Sequence, residues 1–394
     1  MTAGESHGPA LSAILEGIPA GLCISEEAIN QDLARRQGGF GRGKRMGLES
    51  DRIRILSGVR GGITLGSPIS ILIENKDHAN WKLVMASGRE AAVDEKRIVH
   101  PRPGHADLGG VIKYRHQDIR NVLERASARE TAARVAIGSL CRNLLSALEV
   151  SILAWVEQIG AESMPSSLVD GFDQMHAEQF AEWQKAVCDS PVYCPDRETS
   201  DRMMGTIKQA ASQGDTLGGI FVVKCWGLPP GLGSYVHWDR RLDGQLGSAV
   251  LSIPGIKGVE IGRAFDMAKE FGSSVHDEIF ISSRQGLYRQ TNRAGGLEGG
   301  MTNGQPLVVR AAMKPIPTLS HPLQSVNLET LEAGLAAVER SDVCAVPAAS
   351  VVGEAAVSYI LAQAVLDRFS RDNMEELLRD WQEYWRYVQE TLGK

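Results

Sequence analysis

The stretch SARETAARVAIGSLCRNLLSAL at 127–148 is followed almost at once by SILAWVEQI at 151–159. The small and apolar residues of the first segment predict a helix whose inward positions pack inside the protein. The second segment predicts a strand. A buried helix joined directly to a strand indicates a mixed α/β protein.

Helices and strands alternate along the rest of the chain. SEEAINQDLARRQ at 25–37 has apolar residues at helical spacing behind a capping serine, Ser25, and predicts a helix. Alternating and β-branched residues predict strands at 51–59 and 67–75. Further along, the pattern predicts helices through 174–212, a strand at 218–226, alternating structure after 240, a strand at 305–314 behind the glycine-rich stretch 294–304, and helices from 351 to 389 with a break around 370–373.

The chain has the size and composition of a folded protein with a substantial core. It contains 394 residues, of which 43% are hydrophobic. No linker rich in Pro, Gly or Ser divides it, and no solenoid repeat is present. We therefore expect residues 1–394 to form one intertwined domain that includes the C-terminal helical segment 351–389.

The sequence also bears on the cellular compartment and on whether the cysteines bind zinc or form disulfides. The first residues lack the basic and apolar regions of a signal peptide, and no apolar run reaches the roughly 20 residues of a membrane span. These features predict a cytoplasmic protein. The six cysteines are scattered without C-x-x-C pairs or nearby histidine partners. Neither a zinc site nor a disulfide framework is therefore predicted.

Positive charge is concentrated in one segment of an acidic protein. The net charge is −6, but residues 35–60 contain eight basic residues against Glu49 and Asp51. Glycines interleave the arginines, which favours a focused anion-binding loop over a solvated basic face. A nucleic-acid-binding loop is an alternative, but Phe40 is the only aromatic residue there on which a base could stack. The basic residues are Arg35, Arg36, Arg42, Lys44, Arg45, Arg52, Arg54 and Arg60.

Two short motifs match enzyme signatures without the expected context. GESHG at 4–8 fits the G-x-S-x-G pattern of serine hydrolases, but only three residues precede it, too few for the buried strand that presents the nucleophile. GGFGRGK at 38–44 begins like a phosphate-binding loop, but Arg45 stands where that loop needs Ser or Thr. A hydrolase using Ser6 is therefore an unfavoured alternative. The glycines and arginines of the second motif can still bind phosphate or carboxylate oxygens.

Four long segments combine histidine, arginine and glycine in a way that a plain core would not require. They are GESHGP (4–9), RRQGGFGRGKRMGLESD (35–51), RPGHADLGGVIKY (102–114) with RASARETAARVA (125–136), and the series GGLEGGMTNG, MKPIPTL and RSDVCAVPA between 295 and 348. Together these segments resemble the chorismate synthases. Intervening stretches such as SGVRGGITLGSPISILIENKDHANW and GSSVHDEI are similar to the bacterial form of the family. The similarity extends over essentially the whole chain, so it is far more specific than either short motif.

The resemblance implies a fold, a reaction and a cofactor. The family's fold is a single-domain β-α-β sandwich of the α/β (α+β) class, and its enzyme is a homotetramer. The reaction converts 5-enolpyruvylshikimate 3-phosphate to chorismate by 1,4-anti-elimination of phosphate and a C6 hydrogen, in the shikimate pathway to aromatic amino acids. It uses reduced FMN, which is not consumed, and NADPH is a possible reductant. A departing phosphate needs fixed cations and an acid that titrates near neutrality, which arginine and histidine provide.

The resemblance also implies roles for individual residues. His7 would protonate or hydrogen-bond the departing phosphate, His105 would stabilise the reduced flavin near N1 and O2, and Asp342 would accept the flavin N5 proton. Ser6 would contact the phosphate or the flavin edge. The residues expected to bind substrate or NADP are Arg36, Arg42, Arg45 and Arg129, with Arg340 completing the cationic lining. The residues expected to bind FMN are Arg125, Ala126, Ser127, Pro254, Gly255, Gly299, Lys314, Pro315, Ile316, Pro317, Thr318 and Arg340.

Two departures from the family pattern and one structural alternative bear on these roles. Family members usually begin with a short β-strand before the first matched segment, and that strand is expected to be shortened here. Pro-Gly at 254–255 replaces a frequent Asn-Ala pair, which leaves only backbone contacts to the flavin. Arg125 and Arg129 lie four apart on a predicted helix, where ion pairs with Glu124 or Glu130 could be their whole role.

Overall fold

Two antiparallel β-sheets enclose a layer of helices. The computed structural model describes residues 1–43, 50–173, 179–282 and 286–392. The strands are β1 Thr2–Ala3, β2 Ala10–Leu15, β3 Ile53–Ser57, β4 Val59–Arg60, β5 Ile63–Thr64, β6 Ile69–Glu74, β7 Ser151–Ile159, β8 Glu162–Ser163, β9 Gly219–Trp226, β10 Ile256–Ile261, β11 Phe280–Ser282, β12 Gly286–Tyr288, β13 Leu297–Glu298, β14 Met301–Thr302, β15 Leu307–Met313, β16 Gln324–Val326 and β17 Ala333–Leu335. The helices are α1 Glu26–Gln37, α2 Asp107–Tyr114, α3 Arg120–Ala126, α4 Thr131–Ala147, α5 Ser166–Asp173, α6 Phe180–Asp189, α7 Arg197–Ser212, α8 Leu242–Leu251, α9 Ala264–Met267, α10 Gly272–Val275, α11 Val346–Arg368 and α12 Met374–Leu392. Short 3-10 turns span Lys76–Asn80, Val93–Lys96, Ala128–Glu130 and Trp238–Arg240.

The smaller sheet has the strand order β1-β2-β6-β3, and each neighbouring pair is antiparallel. In β2 and β6, Leu11 pairs with Ile73 and Ala13 pairs with Ile71. All four side chains are at most 2% exposed. Because alternate residues of a strand point to the same face, this register turns one apolar face of the sheet toward the helices.

The larger sheet has the order β10-β15-β9-β7-β8 and is also antiparallel. Phe221 and Val223 of β9 face the helical layer and belong to the main core. Val222 of β9 and Trp155 of β7 belong to a second apolar cluster that includes residues of α6 and α7. Both faces of this sheet are therefore covered, which explains why β9 has consecutive buried apolar residues at 221–223.

Helices α4 and α11 form the centre of the helical layer. α4 contacts α11, α1, β2, β6 and β7, and α11 also packs on β7 and β9. The two helices approach closely at Gly138, where an added Cβ would stand 2.3 Å from the Cβ of Ala355. On the other side of α11, an added Cβ at Gly353 would meet the ring of Phe221 at 2.3 Å. Sheet, helices and sheet thus form the predicted β-α-β sandwich, which is confirmed.

Helix α11 is apolar on nearly every side. Within the described ranges it is the one helix long and apolar enough to cross a membrane, and 78% of its most apolar stretch is buried inside the structure. Burial on this scale is typical of a helix in the middle of a globular core.

One buried carboxylate on α11 is compensated by two arginines. Glu354 accepts hydrogen bonds from Arg35 of α1, at 3.0 Å, and from Arg142 of α4. Burial alone would raise the pKa of Glu354, but the positive charges of Arg35 and Arg142 lower it to about 2. Asp32 also pairs with both arginines and accepts a hydrogen bond from Ser139. This ionic cluster connects α1, α4 and α11 within the helical layer.

Most predicted elements are present near their predicted bounds. α1 begins after Ser25, whose Oγ accepts a hydrogen bond from the Ala28 N–H at 3.3 Å. The strand predicted at 151–159 matches β7. The predicted break near 370–373 separates α11 from α12, although α11 begins at Val346, five residues before the predicted start. Residues 174–178 of the predicted helical region lie outside the described residues.

Two predictions about secondary structure are wrong. Arg125 and Arg129 do not share a helix, because α3 ends at Ala126 and Ser127 has extended backbone, with φ −64° and ψ 143°. Alternating structure after 240 is also incorrect near its start, where α8 forms. α8 buries Leu242, Leu246 and Val250 at a spacing of four, a helical period that its glycines obscured.

Candidate active site

His7 is fixed in the turn between β1 and β2 by contacts to α3. Ser6 and His7 are only 1% and 5% exposed. The Ser6 N–H donates to the carbonyl oxygen of Glu124 at 3.0 Å. The His7 N–H donates to Glu124 Oε2 at 2.8 Å, and His7 Nδ1 lies 2.9 Å from Glu124 Oε1. The backbone and the imidazole of His7 are therefore both held by one residue.

The chain start supports this turn from the other side. Thr2 and Ala3 of β1 pair with Ala13 and Ser12 of β2. The N-terminal ammonium of Met1 donates to the carbonyl of Ile14 at 2.8 Å. Even a two-residue strand therefore connects the His7 turn to the sheet.

Glu124 and Trp81, neither of which was predicted as a site residue, enclose the His7 ring. Burial alone would raise the pKa of Glu124, but hydrogen bonds and charge from His7, followed by a hydrogen bond from Arg120, lower it overall. The indole of Trp81 lies against the imidazole, with ring centres 4.0 Å apart and planes inclined by 30°. The guanidinium carbon of Arg120 is 4.8 Å from the Trp81 ring centre. The ring of His7 thus has a carboxylate at one edge and an aromatic face beside it.

The remaining ring nitrogen of His7 faces a second carboxylate. Nε2 lies 4.0 Å from Asp77 Oδ2. Arg340 Nη2 donates to the same Asp77 oxygen at 2.8 Å. Arg120 Nη2 donates to Glu339 Oε1 at 3.1 Å. Two ion pairs therefore connect the surroundings of His7 to the segment that contains the predicted Arg340.

Asp342 is paired with the predicted basic loop. Arg42 Nη1 donates to Asp342 Oδ2 at 2.6 Å, and the Gly43 N–H donates to Oδ1 at 2.7 Å. The Val343 N–H donates to the carbonyl of Gly41 at 2.8 Å. Arg45, the next predicted anion-binding residue, lies outside the described residues.

Two other predicted arginines share one buried carboxylate. Arg129 Nη1 donates to Asp51 Oδ1 at 2.5 Å, and Arg36 Nη1 donates to Oδ2 at 3.4 Å. Burial lowers the pKa of Arg36 to about 10; the charge of Asp51 opposes this shift, and that of Arg42 adds to it. Arg129 Nε also donates to Asn75 Oδ1 at 2.8 Å, and the Asn75 amide donates to carbonyls of the His7 turn. Asp51 and Asn75 are thus further residues of the site that were not predicted.

The segment predicted to bind flavin at the end of α3 lies beside Ser6. Ser127 Oγ donates to Ser6 Oγ at 3.2 Å, and Ala126 is the last residue of α3. Arg125 donates to the carbonyls of Gly4 and Thr2, both at 3.2 Å. Its side chain is still 45% exposed and also lies 3.9 Å from Glu130, so it can contact a further anionic group.

His105 also has a buried carboxylate at Nδ1. The distance from Nδ1 to Asp107 Oδ1 is 2.5 Å. Burial would raise the pKa of Asp107, but hydrogen bonds from His105 and Arg102 lower it overall. Arg102 Nε donates to Asp107 Oδ2 at 2.8 Å, and Nη1 donates to Thr318 Oγ1 at 2.9 Å. His105 is therefore connected to the predicted flavin-binding run 314–318.

The start of that run offers cations and backbone turns to an anionic ligand. Lys314 Nζ donates to the carbonyl of Gly104, and its N–H donates to the carbonyl of Gly255, both at 2.9 Å. Burial lowers the pKa of Lys314, and the charge of Lys257 lowers it further. An added Cβ at Gly104 would stand 3.5 Å from Pro317. Two lysines that interact electrostatically, beside the glycine turns at Gly104 and Gly255, fit a phosphate group, so these residues are compatible with FMN.

The remaining residues predicted to bind FMN differ in their contacts and in their exposure. The Ile316 carbonyl accepts a hydrogen bond from Thr216 Oγ1 at 2.7 Å, and the Pro315 nitrogen would be 2.9 Å from a Cβ added at Gly218. Pro254 directly precedes Gly255 and is half-buried. Gly299 is exposed in the β13–β14 hairpin, which packs on α8.

An open cavity of about 1340 Å³ lies elsewhere, between β2, α8 and α11. Its lining includes Ile14, Trp238, Ser248 and Tyr359, but none of the site residues predicted from the sequence. The arrangement of titratable groups, rather than cavity size, therefore locates the candidate site.

The alternative functions have no structural support. Ser6 follows β1, a two-residue strand at the edge of its sheet, whereas a hydrolase nucleophile follows a central buried strand. Arg36 and Arg42 of the basic segment bind carboxylates of the protein itself. Among the described residues, no group of three or more His, Cys, Asp or Glu side chains is placed to hold a metal ion. All six cysteines are free.

Comparisons with known proteins show the family of this chain. The model of the chorismate synthase family matches residues 1–366. A chorismate synthase from Desulforudis audaxviator (strain MP104C) is 56% identical over 384 residues, covering 98% of this chain and 96% of that protein. The chorismate synthase of Aquifex aeolicus (strain VF5) is 50% identical over 388 residues, covering 98% and 97%. A crystal structure of a chorismate synthase, 42% identical, superposes with a TM-score of 0.80 and covers 99% of this chain and 98% of its own. The chain belongs to the chorismate synthase family.

Proposed function

We propose that the protein converts 5-enolpyruvylshikimate 3-phosphate to chorismate and phosphate. The C–O bond to the phosphate breaks and its electron pair leaves with the phosphate. C6 loses a hydrogen, and a new C=C bond forms without a net change in oxidation state. The reaction belongs to the shikimate pathway, which supplies aromatic amino acids. The family match and the arrangement around His7 both support this proposal.

The observation that carries the proposal is the position of His7 among paired arginines. Its Nδ1 is bonded to Glu124, and its Nε2 faces Asp77, which accepts a hydrogen bond from Arg340. A positioned imidazole can give a proton to a leaving phosphate. The neighbouring guanidinium groups can stabilise the charge that develops on the phosphate oxygens.

The arginines are held ready by the protein's own carboxylates. Arg36 and Arg129 share Asp51, while Arg42 is bonded to Asp342. In the proposed reaction these guanidinium groups bind the anionic groups of the substrate. Asp342 accepts, at a carboxylate oxygen, the proton released as the C6 hydrogen leaves. Arg45 is proposed to act with them at the same anionic groups.

Flavin would be held by residues of two regions. Reduced FMN, when bound, supplies electron density for the elimination and is recovered unchanged. Arg125, Ser127 and Lys314 are proposed to bind it through charges and hydroxyls, and His105 to stabilise its anionic form. The run 314–318 and the turns at 254–255 and Gly299 would provide backbone contacts and flat apolar surface. NADPH is proposed as a possible source of the reducing equivalents.

Comparison of the wild-type enzyme with His7→Ala tests the proposed role of His7. Both proteins are incubated anaerobically with reduced FMN and 5-enolpyruvylshikimate 3-phosphate, and chorismate and phosphate are followed. Removal of a positioned acid is expected to lower turnover roughly 10²- to 10⁴-fold. FMN binding, measured by fluorescence quenching, should persist in the variant. Near-normal turnover of His7→Ala would contradict the assignment.

The cellular location, oligomeric state and partners of the enzyme are also proposed from the family. We expect a cytoplasmic homotetramer that acts on a small-molecule substrate and binds neither nucleic acid nor membrane. Light scattering after gel filtration should give four times the 42.7 kDa mass of one chain. A mass of one chain at micromolar concentration would contradict the tetramer.

A further inference from the structure

Glu124 makes an unusual number of contacts to one dipeptide. Its carbonyl accepts the Ser6 N–H at 3.0 Å. Its carboxylate accepts the His7 N–H at 2.8 Å and faces His7 Nδ1 at 2.9 and 3.0 Å. The two partners are separated by 117 positions in the chain. One residue therefore fixes the position, the backbone direction and the ring orientation of His7.

The charge state of this carboxylate determines which ring nitrogen carries hydrogen. The pKa of Glu124 is lowered because the hydrogen bonds from His7 and Arg120 outweigh the effect of burial. An ionised carboxylate only accepts hydrogen bonds. His7 Nδ1 must therefore carry a hydrogen and donate it. Nε2 is then the ring atom that is left to exchange a proton with a ligand.

Two neighbours restrict the ring further. Trp81 lies against its face with ring centres 4.0 Å apart, which hinders a ring flip that would exchange the two nitrogens. Arg120 Nη1 donates to Glu124 Oε1 at 3.1 Å and holds the carboxylate in place. On the Nε2 side, Asp77 Oδ2 lies at 4.0 Å and is bonded to Arg340. Nε2 thus faces the charged groups of the proposed substrate site.

We propose that Glu124 is a positioning residue for the reaction, which acts through His7: its carboxylate accepts the Nδ1–H, stabilises the protonated ring, and so directs the Nε2–H of that imidazolium at the departing phosphate. This inference rests on the proposed function and adds a residue to it. The same relation between a buried carboxylate and a catalytic imidazole sets the tautomer in other enzymes that use histidine as acid or base.

Glu124→Gln is the informative variant, because it keeps the shape and removes the charge. The His7 N–H and ring N–H both need an acceptor, but glutamine offers one oxygen and one NH₂ group. If that oxygen accepts the backbone N–H, the NH₂ group faces Nδ1, which must then act as an acceptor. The ring is held neutral, and the imidazolium that gives its Nε2 proton to the phosphate is disfavoured. We expect kcat to fall at least about tenfold and no further than the roughly 10²- to 10⁴-fold loss for His7→Ala. KM for the substrate and FMN binding should change less than about threefold, since neither ligand contacts Glu124 in the proposal.

A double variant distinguishes this role from a merely structural one. If Glu124 acts through His7, then His7→Ala with Glu124→Gln should turn over as slowly as His7→Ala alone. Independent losses that multiply in the double variant would overturn the inference. Glu162→Gln serves as the control and should keep wild-type kcat. Glu162 lies on the edge strand β8 and forms an ion pair with Arg202 of α7.

A shorter carboxylate provides a second test that does not depend on the stability of Glu124→Gln. Glu124→Asp keeps the charge but withdraws it from the ring, so its kcat should lie between those of the wild type and Glu124→Gln. If Glu124→Gln fails to fold, a lowered kcat with unchanged KM in Glu124→Asp supports the inference, and wild-type kcat overturns it. Failure of the inference leaves the wild-type enzyme active. Failure of the proposed function leaves the folded wild-type protein without product.

Discussion

Asp51→Asn should weaken both the fold and the substrate site, because one carboxylate compensates two arginines. The Asp51 side chain is fully buried and lies 2.5 Å from Arg129 and 3.4 Å from Arg36. Asparagine keeps the shape and removes the charge. Two guanidinium groups would then remain in the interior without the carboxylate between them.

The expected loss of stability can be worked out from this geometry. Removal of one partner from a buried ion pair costs about 3–5 kcal/mol. Unfolding entropy is ~2.1 cal/mol/K per residue, or about 0.8 kcal/mol/K for 394 residues. The melting temperature should therefore fall by about 4–6 °C. Displacement of Arg36 and Arg129 should also raise KM for 5-enolpyruvylshikimate 3-phosphate by about tenfold, equivalent to ~1.4 kcal/mol.

Asp32→Asn is a matched control for this experiment. Asp32 is a buried carboxylate that also pairs with two arginines, Arg35 and Arg142, but within the helical layer. Its replacement should lower the melting temperature, by less than Asp51→Asn because Glu354 still pairs with both arginines, and leave KM unchanged. Calorimetry and anaerobic steady-state kinetics provide the two measurements. If Asp51→Asn melted within a degree of the wild type, or if its KM equalled that of Asp32→Asn, the role given to Asp51 would be refuted.

Three further changes have defined outcomes. His105→Ala should lower anaerobic turnover roughly 10²- to 10⁴-fold, and wild-type turnover would remove His105 from the site. Because the pKa of Glu354 is about 2 in the folded protein against an ordinary value of 4.5, its stabilisation is present above pH 4.5 and is lost as the pH falls toward 2. Between about pH 5 and pH 3, the melting temperature of Glu354→Gln should therefore depend less on pH than that of the wild type. An equal dependence on pH in the two proteins would contradict the lowered pKa of Glu354. Gly138→Ala places a Cβ 2.3 Å from that of Ala355 and should cost about 1–3 kcal/mol in denaturant unfolding. Gly247→Ala, which meets no atom within 4 Å on α8, should be neutral or stabilising, and equal effects of the two would contradict the packing described.

The fold was largely predictable because the hydrophobic pattern of most helices and strands lies within a short stretch of sequence. The alternation in β6 and the uninterrupted apolar run of β7 follow directly from residues that are close in sequence. The failure at α8 has a physical cause: glycines between Leu242, Leu246 and Val250 hide a helical spacing. Ser127 interrupts a helix that propensity alone would continue, because its Oγ accepts the N–H of Arg129 at 3.3 Å and begins a new turn.

Residues of the candidate site were predictable only where they lie in motifs of the family. His7, Asp342 and the arginines lie in matched segments, and the structure brings His7 close to Arg340 through Asp77. Glu124 carries no local signal beyond its position next to Arg125, because its partner His7 is 117 positions away. Asn75, Asp77 and Trp81 lie in a stretch that resembled the family as a whole without any assigned role. Their place in the candidate site can be recognised only in the folded structure, where distant segments come together.

The enzymatic assignment is tested most directly by anaerobic incubation of the wild-type protein with 5-enolpyruvylshikimate 3-phosphate, with FMN reduced in one sample and oxidised in the other. With reduced FMN, chorismate and phosphate should appear in equal amounts over many turnovers, and the flavin should still be reduced at the end. The oxidised sample should form neither product. A folded protein that forms no chorismate with reduced FMN, or that forms it equally well with oxidised FMN, would contradict the proposed function.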